Sequence, residues 1–204
     1  MKILLIDDNE HLTQIYQMII THEGHHVDIE LDSSQAINRI RTEKPELVLL
    51  DIMMEPLSGW EVLEQIRMDA ALSEIPVIIL TGKMMTINEA ISYGMQIEGY
   101  VMKPLERSML VTAIREVEEI LTECDDRYRK AITAGLTEEK ATQCRRMVRK
   151  KKMLFYLMDL LARQERILSL RPDEQEEMKG TLNQLRMIIK EENTNSAQEE
   201  LTCP

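Results

Sequence analysis

The stretch ELVLLDIMMEPLSG, residues 46–59, sets four consecutive apolar residues in front of an aspartate, then a loop closed by a glycine. Unbroken apolar character marks a strand buried on both faces, as inside a parallel sheet; a half-exposed strand would alternate. Outward from it, KILLID (residues 2–7) and PVIILT (76–81) have the same form, each a short apolar run ending on a polar group. HHVDIEL (25–31) alternates, and EGYVMKP (98–104) completes the series. Between these runs the apolar residues return at helical spacing. Residues 10–22 carry Leu12, Ile15, Tyr16 and Ile19, and Ser33 or Ser34 is placed to cap a helix through Ile37, Ile40 and Arg41. Further helices are expected over 59–68 and 87–93, the second stopped by Gly94. Five strands alternating with helices predict an α/β fold, a doubly wound five-stranded parallel sheet covered on both faces.

In such a sheet the functional groups collect beyond the carboxyl ends of the strands. Asp7 and Asp8 follow the first strand, Asp51 ends the third, Thr81 the fourth, and Lys103 follows the fifth. Neighbouring carboxylates repel unless a divalent cation joins them, and an all-oxygen cluster suits Mg2+, which keeps some waters and admits a phosphoryl group. A hydroxyl and an ammonium on the same edge are the partners that phosphoryl oxygens require.

These residues resemble the receiver domain of two-component response regulators, with its flavodoxin-like, chemotaxis-receiver-like fold. The resemblance covers residues 1–122 and rests on Asp7-Asp8, Asp51 in LVLLDIMMEPLSG, Thr81 in VIILTG and Lys103-Pro104 in GYVMKP. It implies that Asp51 is the nucleophile, taking a phosphoryl group from a sensor histidine kinase or phosphotransfer protein. It implies Mg2+ held by Asp8, Asp51 and the Met53 backbone carbonyl, with Asp7 acting mainly through water. Lys103 would pair with the phosphoryl group, Thr81 would move in to hydrogen-bond it, and Tyr100 would be the aromatic switch. The Lys103–Pro104 bond is expected to be cis, as in the family. The implied protein is a switch and not an enzyme. Two departures stand out: Glu55 occupies the usual proline position, with Pro56 one place later, and Met53 and Lys83 replace polar groups that position water. Neither a thioether nor an ammonium accepts a proton, so slow self-dephosphorylation is expected.

Beyond Pro104 the strand-like runs stop. A heptad stripe of Leu110, Ile114, Val117, Leu121, Cys124, Tyr128 and Ala131 opens near Leu105 and ends before Gly135. Thr137, Glu138 and Glu139 start a second helix, expected to run to about residue 170, with a stripe of Leu154, Met158, Leu161 and Leu168. Pro172 opens a third, with Met178, Leu182, Leu185 and Ile189. The expected division is a receiver over 1–122, an all-α helical extension (bundle or coiled coil) over 123–192, and a polar, flexible tail over 193–204.

Charge separates the two halves. Residues 1–122 hold 9 Lys and Arg against 21 acids, a net of -12, and residues 123–204 hold 16 against 15, a net of +1. The second half contains no histidine, which excludes a phosphohistidine transfer helix, and no Gly-rich phosphate loop or metal-ligand motif. His11, His22, His25 and His26 read as surface residues without metal spacing. Two output readings remain. The helices form an interaction module for a protein partner or for self-association, or the run RRMVRKKK, residues 145–152, contacts DNA phosphates in a transcription regulator. The same run is also suited to docking on the acidic receiver or on a membrane surface. The three cysteines, Cys124, Cys144 and Cys203, fit no disulfide framework and are expected to be reduced and incidental. ILLI, residues 3–6, is too short for a signal peptide or membrane span, so a cytoplasmic protein is expected.

Overall fold

The computed structural model describes residues 1–83, 85–104, 106–169, 175–200 and 203. The strands are β1 (Lys2–Ile6), β2 (His26–Glu30), β3 (Leu47–Asp51), β4 (Val77–Thr81) and β5 (Gly99–Met102). They form one sheet in the order β2-β1-β3-β4-β5, with every pair parallel. The apolar residues of β1, β3 and β4 expose no surface, the reason for their unbroken hydrophobic runs. Full burial contributes about 1.5–3 kcal/mol per large side chain before chain entropy is counted.

Helices α1 (Glu10–His22), α2 (Ala36–Glu43), α3 (Gly59–Met68) and α4 (Ile87–Tyr93) connect these strands. Each expected helix is present, with two local differences. The buried side of α1 runs through Thr13, Tyr16 and Ile20, which leaves Ile15 48% exposed instead of in the core. The cap before α2 is Asp32, whose carboxylate accepts from the Ser34 N–H across a short 3-10 turn, Ser33–Gln35. Ser33 is buried and accepts from the Leu57 N–H at 3.0 Å, so it anchors the loop after β3.

Three long helices follow: α5 (Arg107–Thr133), α6 (Glu138–Ser169) and α7 (Gln175–Glu200). The contacts divide the chain into two compact units, Met1–Met84 with Gln96–Val117, and Met85–Met95 with Glu118–Pro204. Helix α4 therefore groups with the C-terminal helices, and α5 passes without a break through the boundary expected at 122/123. The heptad stripe holds: Leu110, Ile114, Val117, Cys124 and Ala131 are buried, Leu121 and Tyr128 partly so. Gly135 follows with a left-handed φ of +84°.

In the helical unit α7 packs along both α6 and α4, and its Leu182, Leu185 and Ile189 are buried. At Gly94 an added Cβ would lie 2.2 Å from Leu157 Cδ2, so the absent side chain is what admits α6 beside the end of α4. Pro172, Leu105 and the side chains of Leu161, Leu168 and Met178 lie outside the described residues. The expected flexible tail is different: α7 stays helical to Glu200, and Cys203 is disulfide-bonded to Cys144. The expectation of three reduced cysteines thus fails for two of them, because helix packing brings together residues 59 positions apart. Only Cys124 is free among the described residues, and it is buried.

The basic run lies on α6, where its charges meet acids of the same unit. Arg145 pairs with Asp125 at 3.2 Å, Lys152 with Glu123 at 3.8 Å, and Lys150 with Glu192. Among the described residues, no helix is long and apolar enough to cross a membrane.

At the amino ends of β4 and β5, Arg67 joins three segments that the sheet alone would leave loose. Its Nε donates to the Gln96 carbonyl at 2.9 Å, and its Nη1 to the carbonyls of Ser73 and Ile75 at 3.1 and 2.8 Å. Its Nη2 lies 3.6 Å from Glu98, a buried carboxylate that also accepts from the Val77 N–H at 2.6 Å. Arg67→Ala is expected to cost about 2–4 kcal/mol, because it strips donors from carbonyls and the cation from beside a buried acid. Arg67→Lys should recover only part of this, since one ammonium does not reproduce the fork. Urea unfolding midpoints of the full chain measure both.

Candidate functional site

Parallel strands all present their carboxyl ends at one edge, so β1 and β3, paired Ile6 to Leu50, deliver Asp7 and Asp51 side by side. Asp7 is fully buried, Asp51 is 4% exposed, and Asp8 is exposed. One carboxylate oxygen from each of the three lies within 4.8 Å of the others. Lys103, delivered by β5, bridges the buried pair: its Nζ is 2.6 Å from Asp7 and 3.1 Å from Asp51. The remaining carboxylate oxygens have backbone partners. Asp7 Oδ1 accepts from the Asn9 N–H and Asp51 Oδ1 from the Ile52 N–H, at 2.9 and 2.8 Å.

The charge balance is set by burial and by one lysine. Desolvation pushes the Asp51 carboxyl above the usual aspartate range; Lys103 pulls it partly back, and the neighbouring Asp7 charge adds to the rise. For Lys103, burial works against the ammonium. Its hydrogen bond to Asp7 and the charges of both aspartates outweigh that and hold its pKa above the lysine range.

Thr81 is fully buried at the end of β4, and its Oγ1 accepts from the Lys83 N–H at 3.2 Å. Its carbonyl accepts from the Lys103 N–H at 2.7 Å, which ties the loops after β4 and β5 together. Tyr100, half-buried, donates its hydroxyl to the Lys83 carbonyl and so grips the segment that carries Thr81. Met53 lies two residues beyond Asp51 with its side chain 61% exposed, and its backbone amide bonds the Asp51 carboxylate. The Lys103–Pro104 bond is cis, as expected, and so is Glu55–Pro56. The loop between β3 and α3 therefore departs from the family pattern at Glu55 and still closes on Gly59. There the N–H donates to the Ile52 carbonyl at 3.0 Å, and an added Cβ would lie 2.0 Å from the Asp51 carbonyl oxygen. No other residue fits that approach.

Every residue expected at the strand ends thus lies at one edge of the sheet. Asn9 was not among them. Its side chain caps α1 by accepting from Leu12 while its N–H holds Asp7, a role signalled by an asparagine directly before a helical pattern.

The model of the response regulator receiver domain matches residues 3–115. The chain is similar to the DNA-binding response regulator MtrA of Mycolicibacterium smegmatis, 32% identical over 114 residues, which are 56% of this chain and 49% of that protein. It is also similar to a probable transcriptional regulator, ycf29, of Porphyra purpurea, 33% identical over 116 residues, 57% of this chain and 56% of that one. Among solved structures, a response regulator receiver domain protein (CheY-like) from Methanospirillum hungatei JF-1 superposes with a TM-score of 0.51 at 27% identity. That match covers 56% of this chain and 90% of the other. The chain spans about half the length of the curated relatives it matches. With the parallel sheet, the acidic edge and the family match falling on the same residues, the chain belongs to the response regulator receiver family.

Proposed function

We propose that Asp51 accepts a phosphoryl group from the phosphohistidine of a sensor kinase or phosphotransfer protein, and that the helical unit carries the response. The observation that carries this reading is a buried Asp51 carboxylate within 4.8 Å of two other acids and 3.1 Å from Lys103. In the transfer, an Asp51 carboxylate oxygen attacks phosphorus in line, a P–O bond forms, and the P–N bond to the histidine breaks. The donor set is all oxygen, which fits Mg2+. Asp8, Asp51 and the Met53 carbonyl would hold the ion directly. Asp7, whose oxygens already serve Lys103 and Asn9, would act through water. When bound, Mg2+ neutralises the carboxylates and offers a ligand position to a phosphoryl oxygen.

The chain's own groups then complete the site. Lys103 turns from Asp51 to a phosphoryl oxygen over a short distance and keeps Asp7 as its anchor. The Thr81 hydroxyl gives up the Lys83 N–H and donates to the phosphoryl group instead. That motion pulls on the segment that Tyr100 grips and that leads into α4. Because α4 packs on α7, a shift there reaches the helical unit directly. This route favours a switched interaction module for a protein partner or a second copy, and the exposed Phe155, Met158 and Met187 suit such a surface.

DNA binding is the second reading, favoured by the name of the MtrA relative. Against it, Arg145, Lys150 and Lys152 are paired with acids of their own unit. Sedimentation with and without beryllofluoride tests the first reading, which expects a change in mass or shape. Salt-dependent binding to duplex DNA, lost in the Arg145→Glu, Arg146→Glu double variant, would replace it with the second.

Acetyl phosphate with Mg2+ should place one phosphoryl group on the wild-type chain and none on Asp51→Asn, read by intact mass; chelation of Mg2+ should abolish the labelling. The phosphorylated chain should outlast seconds. Met53→Glu, which puts a proton acceptor beside the site, should shorten its lifetime about tenfold or more. Stability should follow the carboxylates. A folded Asp51 that holds its proton to higher pH than the unfolded one makes its ionised form a cost at neutral pH. Asp51→Asn should therefore melt higher than wild type at pH 7, and the gain should shrink as pH falls through the aspartate range. Lys103 contributes the other way: its stabilisation is complete below the ordinary lysine range and is lost as pH rises through its raised value.

A further inference from the structure

We propose that Cys144 and Cys203 form a thiol–disulfide switch, a second input to the helical unit that operates without phosphorylation of Asp51. The two residues are bonded with their Cα atoms 5.7 Å apart. Cys144 sits on α6, 1% exposed, against Ala131 and Ala141; Cys203, half-buried, packs on the same cluster beside Tyr128 and Leu136. The bond therefore fastens Cys203, just beyond α7, to the corner where α5 turns into α6.

Among the described residues, what else holds that end of α7 is weak. Among the described residues, its buried apolar side chains stop at Ile189. Beyond it Lys190, Glu191, Asn193, Thr194 and Asn195 are exposed and Glu192 is half-buried. The described tethers there are the Glu192–Lys150 ion pair and a contact of Asn193 with the Met158 sulfur at 3.8 Å. A polar, solvated stretch such as residues 190–195 has little to keep it helical once the end beyond it is released. The buried part of the same helix packs on α4 and α6, so loosening its end weakens the unit's hold on both.

The pairing is chemically unambiguous. The third cysteine, Cys124, is 2% exposed between Ile120 and Val148, and burial pushes its thiol up to about 11, so it stays protonated and does not compete. Cys203 is the more exposed of the two residues. In reduction, a glutathione thiolate attacks Cys203 Sγ; the S–S bond breaks, its electron pair leaves on Cys144 Sγ, and that sulfur takes a proton. A second glutathione thiolate attacks the glutathione sulfur of the mixed disulfide and releases Cys203, which is protonated, together with oxidised glutathione. Two thiols are oxidised and one protein disulfide is reduced; oxidised glutathione drives the reverse.

The test equilibrates the full chain in reduced and oxidised glutathione at varied ratio, then alkylates under native conditions. The expected result is a passage from no alkylated cysteine to two, Cys144 and Cys203, within the glutathione range, with Cys124 modified only after unfolding. Amide exchange over residues 190–200 should speed about tenfold or more on reduction, as a released helix end opens. In Cys203→Ser, and separately in Cys144→Ser, it should be fast at every ratio. Alkylation of Cys144 and Cys203 in oxidised glutathione would overturn the proposal. So would a bond that glutathione opens only on unfolding, or exchange at residues 190–200 that reduction leaves unchanged. Asp51 labelling by acetyl phosphate, run on the same samples, should persist in both redox states; its loss in all of them would count against the phosphoryl reading and leave the switch standing.

Discussion

Two buried carboxylates share one ammonium, Asp7 and Asp51 on either side of Lys103, and the arrangement of the sheet edge depends on that bridge. Without the lysine, two like charges would be held close in a poorly solvated place. With it, the edge is satisfied yet poised, because burial still presses Asp51 toward its protonated form. A group that brings its own oxygens and a divalent cation relieves the same repulsion by another route. The resting structure and the proposed phosphorylated one are thus alternative solutions to one electrostatic constraint. Beside that edge, Thr81 and Tyr100 each make a hydrogen bond with Lys83, in the segment that leads to α4.

The C-terminal helices form a unit that also takes in an element from the middle of the strand series. Helix α4 belongs to it by contact although it lies between β4 and β5 in sequence. Leu157 fills the space that the missing side chain of Gly94 leaves, and α7 lies along α4. The basic run on α6 serves that packing, with acids of α5 and α7 facing three of its charges. Exposed ion pairs of this kind contribute little individually, so their role is better described as orienting helices than as stabilising them.

The fold and the site were legible in the sequence for a simple reason. Strands buried on both faces must be apolar throughout, so KILLI, LVLLD and VIILT announce themselves, and the residues that follow them share one edge whatever the loops do. Capping residues and glycines marked the helix limits nearly as well. Legibility failed where the outcome depended on a neighbour. Ile15 looks like a core residue by spacing, but α1 is rolled so that Thr13, Tyr16 and Ile20 face the sheet. Asp32 and not Ser33 caps the turn before α2, because Ser33 is taken by the Leu57 N–H.

By itself the sequence determined five strands in a parallel sheet, the acidic edge with Asp7, Asp8, Asp51, Thr81 and Lys103, and three long helices behind them, since all of these follow from local periodicity and parallel geometry. Only the tertiary structure decided that Lys103 bridges two particular carboxylates and that Cys144 meets Cys203. It alone placed α4 with the C-terminal helices and Arg145, Lys150 and Lys152 beside acids of their own unit. Each of these joins residues far apart in the chain, and no periodicity encodes which distant side chains a fold will bring within a few ångströms of one another.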